Sequence, residues 1–266
     1  FPFRLETKNV LLQSGSSFRE ATWQAPTGQI ILTWHIDEGT QAYARYTHGF
    51  KAGHFNAQAT QDLNEPPADP EFNDAWEAGL RGGWPDERLS GLASTFYYKY
   101  AGYQVFLFRD QADRPPVLEI LNADEAENYG LELEASLEPF RGLVSPLLEG
   151  LRISGNFSML HGEYIDFQVT TTVKDGPALL PAVIDFSGKP LASSPKYKVS
   201  AAVEWAIDLG RWAWVTPRYD FSWEATQYFD PNEGRGTQKF DTPSLPPDTV
   251  AQRPYFLHNV RLSYRN

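Results

Sequence analysis

The chain has 266 residues, a formal net charge of -11, 14% aromatic residues and no cysteine. The acidic balance argues against nucleic acid as a partner, because phosphates require a basic surface, and the missing cysteines exclude disulfides and thiolate metal sites. No run of about 18 apolar residues is present, so the sequence predicts no transmembrane helix, although alternation along the strands of a membrane barrel would dilute such a signal.

The N-terminal part of the chain predicts a hairpin followed by a long loop. Residues through about 26 are weakly patterned and indicate a loop that leads into a strand. Residues 29–36 and 41–50 then alternate as two strands around a tight turn at residues 37–40. Residues 51–73 have neither helical nor strand periodicity, and their Pro, Asn and Asp content predicts a long loop.

The middle of the chain begins with a predicted strand at residues 75–84 and a turn at residues 85–87. A long strand at residues 88–108 and a loop at residues 109–116 follow. Residues 129–138 then carry the clearest signal in the sequence. Their odd-numbered positions, from Tyr129 to Leu137, are apolar, and their even-numbered positions are Gly, Glu or Ser. This period of two predicts a strand with one apolar face and one wet face.

The last part of the chain repeats the alternation after a connection near residues 139–150. It predicts a strand at residues 151–159 and a long loop at residues 167–195. A strand at residues 196–208, a turn at residues 208–210 and a strand at residues 214–223 come next. A long loop at residues 224–253 then leads to a closing strand at residues 254–264. Pro217 counts slightly against a regular central strand, because proline lacks a main-chain donor. Nine strands are predicted in all.

Short and long connections alternate, so they gather at opposite ends of the predicted sheet. Outer-membrane barrels have this arrangement, with short periplasmic turns and longer extracellular loops. Several strands also reach the roughly ten residues that a tilted strand needs to cross a bilayer. Aromatic residues lie at strand ends, where interfacial girdles form, at Tyr98, Tyr100, Trp205, Tyr219 and Trp223.

The sequence thus predicts an all-β fold, an antiparallel transmembrane β-barrel of the outer-membrane type. A soluble β-sandwich is the alternative. The two folds differ in what covers the apolar face: the barrel predicts lipid and the sandwich predicts a second sheet, at Leu131, Leu133, Val199, Val203 and Leu262.

Five stretches resemble TonB-dependent outer-membrane receptors of the siderophore-receptor type. YARYTHGFKAGHFN at residues 43–56 is similar to the family's Y-x-S-Y-S-x-G-F-K-x-G-x-F-N, and NADEAENYGLELEAS at residues 122–136 resembles its N-A-x-x-A-x-x-Y-G-x-E-L-E. Further strands of the family resemble AWEAGLRGGWPDERLSGLASTFYYKY, SPKYKVSAAVEW and YFLHNVRLSY, at residues 75–100, 194–205 and 255–264. The ordered set covers the chain from about residue 29 onward.

The resemblance implies that residues 1–266 are part of the β-barrel domain of such a receptor, about nine strands of a barrel of about 22. The family's plug domain and TonB-contacting box are absent from this sequence, and both chain ends are expected to be cut points within a longer protein. An open partial barrel leaves two unpaired edges and an apolar face, so we expect the isolated piece to aggregate in water.

The resemblance also implies a location and an activity. The location is the outer membrane of a Gram-negative bacterium, and the activity is active uptake of a ferric siderophore or related iron complex. The implied partners are outer-membrane lipid, the ferric ligand, and TonB through the plug and TonB box. No enzymatic activity, resident cofactor or bound metal is implied, since any iron belongs to the substrate.

Alternation predicts a row of charged residues on the wet face, as candidates for the barrel lumen. These are Arg45, Lys99, Glu132, Glu134, Arg152, Glu204, Arg218, Asp220 and Arg261. The basic members would attract an anionic chelate by electrostatic steering. Pairing with the lumen carboxylates, or with the plug, is the favoured interpretation.

Outer loops supply a second set of candidates, for ligand contact. His48 and His54 flank a loop entrance, and the segment at residues 226–236 contains Tyr228, Phe229 and Asp230. These side chains suit stacking and hydrogen bonding to a siderophore or sugar. For the histidines an interfacial or solvated role is favoured, and a solvated loop would have the same composition as this segment.

No catalytic constellation emerges from the sequence. The five histidines form no HExxH motif, there is no Gly-x-Ser-x-Gly elbow and no phosphate loop, and the acidic cluster at residues 230–233 lacks EF-hand spacing. Two alternatives to a TonB-dependent receptor stay open. They are a plugless porin or enzyme barrel and a soluble carbohydrate-binding sandwich or adhesin.

Overall fold

The computed structural model describes residues 3–7, 20–55, 67–84, 88–111, 114–142, 146–175, 178–236 and 245–266. This part of the chain forms strands almost throughout. They are β1 (Phe3–Thr7), β2 (Ala21–Ala25), β3 (Gly28–His35), β4 (Thr40–Lys51), β5 (Glu71–Trp84), β6 (Leu89–Gln111), β7 (Arg114–Leu137), β8 (Leu151–Asp166), β9 (Gln168–Asp175), β10 (Ala178–Asp185), β11 (Tyr197–Trp205), β12 (Ile207–Asp208), β13 (Trp214–Glu224), β14 (Gln227–Tyr228), β15 (Ala251–Gln252) and β16 (Tyr255–Arg265). A single turn of helix, α1 (Pro146–Glu149), precedes β8.

Ten of these strands form one sheet in the order β12-β13-β11-β8-β7-β6-β5-β4-β3, with β16 paired to β13 as well. Every pairing is antiparallel. In the described part of the chain β3 and β16 each pair with one neighbour, so the sheet has two free edges and does not close. The prediction of a partial, antiparallel all-β structure is confirmed, and the nine predicted strands correspond to the nine long strands of this sheet.

Two predicted turns are confirmed by their hydrogen bonds. At the first, the Ile36 amide donates to the Thr40 carbonyl at 2.9 Å, and the Gly39 amide donates to Oδ1 of Asp37 at 2.8 Å. At the second, the Gly210 amide donates to Oδ1 of Asp208 at 2.8 Å, and Gly210 adopts a φ of 64° that favours glycine. The turn predicted at residues 85–87 lies outside the described residues.

The predicted loops were wrong in several places, because the hairpins continue beyond the main sheet. β6 and β7 extend through the loop predicted at residues 109–116 and contain 23 and 24 residues. The loop predicted at residues 167–195 contains the β9–β10 hairpin, and the one at residues 224–253 contains the short β14–β15 pair. The weakly patterned N-terminus contains β1 and β2, which pair with each other.

Strand register divides the main sheet into two faces. The apolar face includes the row Trp34, Ala42, Leu80, Ala93, Leu133, Phe157, Val199, Trp223 and Phe256. The polar face includes the next row, Thr33, Tyr43, Gly79, Ser94, Glu132, Ser158, Lys198, Glu224 and Tyr255. Side chains alternate between the faces because successive residues of a strand point to opposite sides.

All five positions that distinguish a barrel from a sandwich lie on the apolar face. Leu133, Val203 and Leu262 are exposed, at 39%, 41% and 71%, and Leu131 and Val199 are half-buried. A second sheet would cover such side chains. The soluble sandwich is therefore the wrong alternative.

A row of rings crosses the apolar face near the end of the sheet with the long connections. It joins Tyr46, Trp76, Tyr97, Tyr129 and His161 in register. Ring centroids lie 5.5 Å apart between Tyr46 and Trp76 and 4.9 Å apart between Tyr129 and His161. We call it the aromatic row, and it has the form of an interfacial girdle.

The predicted girdle residues divide between the two faces. Trp205, Tyr219 and Trp223 lie on the apolar face, as expected. Tyr98 and Tyr100 were predicted wrongly, because register places them opposite Asn128 and Ala126, on the polar side of β6.

Above the aromatic row, toward the long connections, a separate hydrophobic core forms. Val105, Ala123, Tyr164, Phe167 and Phe186 are almost completely buried in it. They come from the extended β6–β7 hairpin, the end of β8 and the residues on either side of the β9–β10 hairpin. At about 3.3 Å per residue a strand of 23 residues spans roughly 75 Å, so β6 and β7 need such a core beyond the bilayer. In the described ranges, no helix has the length and apolarity to cross a membrane.

Candidate functional site

The strongest charge cluster of the polar face lies on β11, β13 and β16. Register places Arg218 opposite both Glu204 and Arg261. Nε and Nη2 of Arg218 donate to Oδ1 of Asp220 at 2.9 and 2.6 Å, and Nη1 donates to Oε2 of Glu204 at 3.2 Å. Nη2 of Arg261 lies 3.6 Å from Oε2 of Glu204. Two arginines and two carboxylates thus neutralise one another.

Arg45 is neutralised in the same way at the other side of the sheet. Register places it opposite Glu77 on β5, and Nη2 of Arg45 forms a charge-assisted hydrogen bond with Oε2 of Glu77. The hydroxyl of Tyr43 donates to Oε1 of Glu77 at 2.6 Å. The predicted lumen residue Arg45 therefore belongs to a three-residue network. Sequence reasoning missed Glu77, because its partner is set by register rather than by spacing.

Between these clusters, two further cations have acidic partners. Nε of Arg152 donates to Oγ of Ser136 at 3.1 Å and lies 3.5 Å from Oε1 of Glu138. Nζ of Lys198 lies 3.4 Å from Oε1 of Glu224, whose other oxygen accepts a hydrogen bond from a neighbouring tyrosine. Arg152 and Lys198 thus pair with carboxylates of the same wall.

Glu132 and Glu134 differ from the other carboxylates of the polar face. Among the described residues neither side chain forms a hydrogen bond or an ion pair, and both are exposed. Together they line a cavity of about 340 Å³ with Asn156, Ser158 and Lys198. Two neighbouring carboxylates without a basic partner among the described residues make this part of the wall acidic.

Lys99 is a correction to the predicted lumen set. Register places Lys99 opposite Asp74 and Glu127, in the row next to Trp76 and Tyr97, so it lies on the apolar side of β6. Its Nζ is 2.7 Å from Oε1 of Glu125. Alternation along the strand places Lys99 on the same face as Tyr97, but the charge of Lys99 suggested the lumen. It is tolerated on this side because it lies beyond the aromatic row.

The two predicted loop histidines have different positions. Nδ1 of His48 lies 2.7 Å from Oδ1 of Asp74, which also accepts a hydrogen bond from the Tyr46 hydroxyl at 2.6 Å. His48 is therefore a member of the interfacial band beside the aromatic row. His54 pairs through its main chain with Ala68, where each amide donates to the other residue's carbonyl. This bridge closes the base of the loop after β4.

The three candidates after β13 also have distinct roles. Asp230 is 8% exposed, and its carboxylate accepts hydrogen bonds from the amides of Asn232 at 2.7 Å and Gly236 at 3.2 Å. It therefore holds the loop together. The Tyr228 carbonyl accepts a hydrogen bond from the Ser193 amide, and burial, together with Asp248, raises the pKa of the Tyr228 hydroxyl. Of the three predicted contacts, Phe229 offers the most free surface, at 52% exposure.

Sequence reasoning missed two amide side chains that fix the loop after β4. Nε2 of Gln104 donates to the carbonyls of Ala52 and Asp69, both at 2.9 Å. Oδ1 of Asn122 accepts from the Asp69 amide at 2.8 Å, and its Nδ2 donates to the carbonyls of Asp69 and Gly102. Both amides lie on the β6–β7 hairpin, which thus carries the neighbouring loop. Nothing in the sequence distinguishes them from other strand residues.

Two tyrosine hydroxyls in the core above the aromatic row have raised pKa values. Burial raises the pKa of Tyr103 to about 12 and also raises the pKa of Tyr164, because an apolar surrounding disfavours the phenolate. Their ring centroids lie 6.1 Å apart. These hydroxyls stay protonated at neutral pH and act as packing groups. Within the described ranges, no three acidic or histidine side chains are placed to hold a metal ion.

A family model described as "TonB dependent receptor-like, beta-barrel" matches residues 3–266. The chain belongs to this family. The resemblance found in the sequence is therefore confirmed. The family consists of transport receptors of the Gram-negative outer membrane rather than enzymes, so the chain belongs to an outer-membrane barrel. In a barrel of this type an apolar face suits contact with lipid, and a polar face suits the barrel interior.

Solved structures share the fold of this TonB-dependent receptor barrel. The ferric yersiniabactin uptake receptor FyuA from Yersinia pestis is 20% identical with a TM-score of 0.64, covering 92% of this chain and 30% of its own. The ferric preacinetobactin receptor BauA from Acinetobacter baumannii is 18% identical with a TM-score of 0.60, covering 94% and 31%. The copper transporter OprC is 12% identical with a TM-score of 0.64, covering 96% and 34%. The chain thus spans about a third of the length of these receptors.

Proposed function

We propose that the receptor of which this chain forms part takes up a ferric siderophore or a related iron complex by TonB-dependent active transport. The observation that carries the proposal is the match of the whole chain to the receptor barrel family. Among the structural neighbours, FyuA and BauA are named for ferric ligands. The charged polar face supports the same activity, because a lipid-embedded wall with a hydrophilic inner side suits the passage of a polar complex.

In this proposal the chain forms part of the barrel wall and anchors the outer loops, and it catalyses no reaction. The hairpins above the aromatic row carry the loops that first meet the ligand, with Phe229 as a stacking surface. After the ligand is captured, TonB uses the proton gradient across the inner membrane to rearrange the plug. The complex then passes along the polar face. The iron is cargo, and the plug, TonB box and TonB are partners outside the described chain.

The test is uptake by the full-length receptor in cells that lack their own iron receptors. We expect accumulation of ⁵⁵Fe supplied as a siderophore complex, and loss of that accumulation when TonB is deleted or the proton gradient is collapsed. Binding at the cell surface should survive both treatments. Uptake that continues without TonB would contradict active transport and favour the passive porin.

A copper complex is the second candidate substrate, because OprC is a copper transporter of the same fold. The same cells can be supplied with copper instead of iron, at equal concentration. Copper accumulation that needs TonB, without iron accumulation, would replace the iron proposal while keeping the transport mechanism.

A further inference from the structure

A groove lies on the apolar face of the sheet, directly beneath the aromatic row. Register aligns one residue from each of the strands β3 to β7 at this height, namely Leu32, Ala44, Ala78, Thr95 and Leu131. The three middle side chains are short and the two outer ones are long, so the face is depressed over β4, β5 and β6. The resulting cavity has a volume of about 470 Å³.

The floor of the groove is apolar. The two alanines contribute methyl groups, and Oγ1 of Thr95 donates to the carbonyl of Gly130 at 3.0 Å, which leaves the methyl group of Thr95 for the groove. Arg45 and Glu77 also border the groove, but register turns their side chains to the polar face, where they pair with each other. The groove therefore suits a hydrocarbon chain rather than a polar solute.

The aromatic row covers the upper end of the groove. The ring of Trp76 lies 5.5 Å from that of Tyr46 and 5.8 Å from that of Tyr97, measured between centroids, and all three rings line the groove. In the row below, Leu80 has an alanine opposite it on each neighbouring strand. The groove is thus bounded above by rings and stays open on both sides of Leu80, toward the middle of the sheet.

The row directly above the aromatic row is charged. It consists of His48, Asp74, Lys99, Glu127 and Glu163. We call its three carboxylates, together with the Glu125 carboxylate 2.7 Å from Nζ of Lys99, the acidic band. Four carboxylates face one lysine here, so the band keeps an excess of negative charge even when His48 and the neighbouring His161 are protonated. Such a band attracts a cation.

Hydrogen bonds connect the acidic band to the rings beneath it. The Tyr46 hydroxyl donates to Oδ1 of Asp74 at 2.6 Å, and the Tyr97 hydroxyl donates to Oε2 of Glu127 at 2.7 Å. Glu127 and Glu163 lie directly opposite each other in register, and like charges at opposed positions of a sheet repel each other. A cation between these two carboxylates would relieve the repulsion.

We propose that the groove and the acidic band together bind one lipid molecule, with an acyl chain beneath the aromatic row and a primary ammonium headgroup at Glu127 and Glu163. The apolar and charged parts follow each other in the order of an amphiphile at an interface, on the face that meets lipid in a barrel of this type. An ammonium group has three donors for the two carboxylates. In the described ranges no three acidic or histidine side chains are placed to hold a metal ion, which favours an amine over a divalent cation. The inference concerns the lipid side of the wall and does not rest on the identity of the cargo.

The test measures contact between lipid and Trp76 in the full-length receptor. The receptor is placed in phosphatidylglycerol vesicles that contain increasing fractions of phosphatidylethanolamine or phosphatidylcholine with brominated acyl chains, which quench tryptophan fluorescence on contact. The Trp76 signal is the difference between the receptor and its Trp76→Phe variant. Both added lipids are zwitterionic, but only the ethanolamine group can donate hydrogen bonds to a carboxylate. We expect half-quenching at an about three- to fivefold lower fraction of the ethanolamine lipid.

Matched variants separate the groove from the acidic band. Ala78→Leu fills the groove, whereas Ala201→Leu places the same side chain on the apolar face outside it, at another exposed alanine. We expect Ala78→Leu to weaken quenching by both lipids and Ala201→Leu to leave it unchanged. Glu127→Gln combined with Glu163→Gln should abolish the preference for ethanolamine while quenching continues. If Ala78→Leu does not assemble, Ala44→Leu takes its place.

Four results would overturn the lipid site. They are equal half-quenching fractions for the two headgroups, a preference for choline, quenching that Ala78→Leu leaves unchanged, and a preference for ethanolamine that survives the double glutamine substitution. Loss of the preference on addition of EDTA would show that a metal ion bridges the acidic band to the lipid phosphate, and it would overturn the assignment of an amine.

Discussion

Gly130 is a position in the wall where the structure leaves no room for a side chain. It lies on the polar side of β7, opposite Phe96 and Leu160. A Cβ atom there would lie 2.1 Å from the carbonyl oxygen of Met159 and 2.7 Å from Cζ of Phe96. The first contact is with main chain of the neighbouring strand, so a rotamer change cannot relieve it. Gly130→Ala must therefore move β7 against β8.

The size of the effect follows from two opposing terms. Alanine in a strand interior is favoured over glycine by about 0.5–1 kcal/mol, because glycine loses more freedom on folding. Overpacking costs about 1–3 kcal/mol and more where main chain has to shift. We therefore expect Gly130→Ala to destabilise the assembled barrel by about 1–2 kcal/mol. Gly49→Ala is the control, since a Cβ there meets nothing within 4 Å.

The assay is unfolding of the full-length receptor from lipid vesicles by guanidinium chloride, followed by tryptophan fluorescence. We expect the midpoint of Gly130→Ala to shift to lower denaturant and that of Gly49→Ala to stay or rise. A slower gain of the heat-modifiable, folded form on gels would accompany the first change. Equal midpoints for the two variants would refute the reasoning, because it would mean that β7 and β8 can separate without loss.

Three further predictions concern the charged wall, the loop base and the upper core. Arg218→Met should lower the midpoint in the same unfolding assay, because it leaves the carboxylates of Glu204 and Asp220 without their arginine partner. Arg261→Met removes one contact at 3.6 Å and should lower the midpoint less; equal shifts would argue against the cluster. Asn122→Ala should speed hydrogen exchange at the Asp69 amide by removing its acceptor, while Asp69→Ala, which keeps that main-chain bond, should not; unchanged exchange in Asn122→Ala would contradict the anchor. Burial raises the pKa of Tyr103 to about 12. Its contribution to the free energy of unfolding is therefore complete below the unfolded pKa near 10 and is lost as pH rises through about 12. Ultraviolet titration of the phenolate should show a late-titrating tyrosine, and titration of every tyrosine near pH 10 would contradict this prediction.

The strands of the main sheet were predictable because one face of each meets lipid. Residues 129–138 alternate strictly, since any polar side chain at an odd position would be costly in hydrocarbon. The turn at Asp37 was predictable for a different reason, because an Asp side chain that accepts a hydrogen bond from the amide two residues on, here Gly39, closes a hairpin locally. Both signals depend on neighbours in sequence alone.

The hairpins above the membrane were not predictable from alternation. β10 contains Pro181, and Leu180 and Val183 are 45% and 62% exposed, so no continuous buried face shapes the sequence. The hairpin is held at its base, where Phe186 packs in the upper core. Pairing with β9 supplies the remaining hydrogen bonds, and main-chain pairing leaves little mark on side-chain choice.

The sequence predicted which face of the sheet is polar, but it did not predict which charged residues pair on that face. Charges at even positions of β7 and β11 identified the face, yet the partner of Arg45 is 32 residues away and depends on the register of β4 against β5. A slip of one residue would exchange every pair for another. Whether a lumen arginine is free to meet a ligand is therefore a property of register, and here the register neutralises it.

Lys99 shows that the face of a strand does not by itself define the medium around a side chain. Tyr97 and Lys99 point to the same side of β6, two residues apart, yet the first belongs to the aromatic row and the second to an ion pair with Glu125. A strand of 23 residues crosses the bilayer with about half its length, so one face passes from hydrocarbon to headgroups to water. Height along the strand decides the chemistry that alternation leaves open.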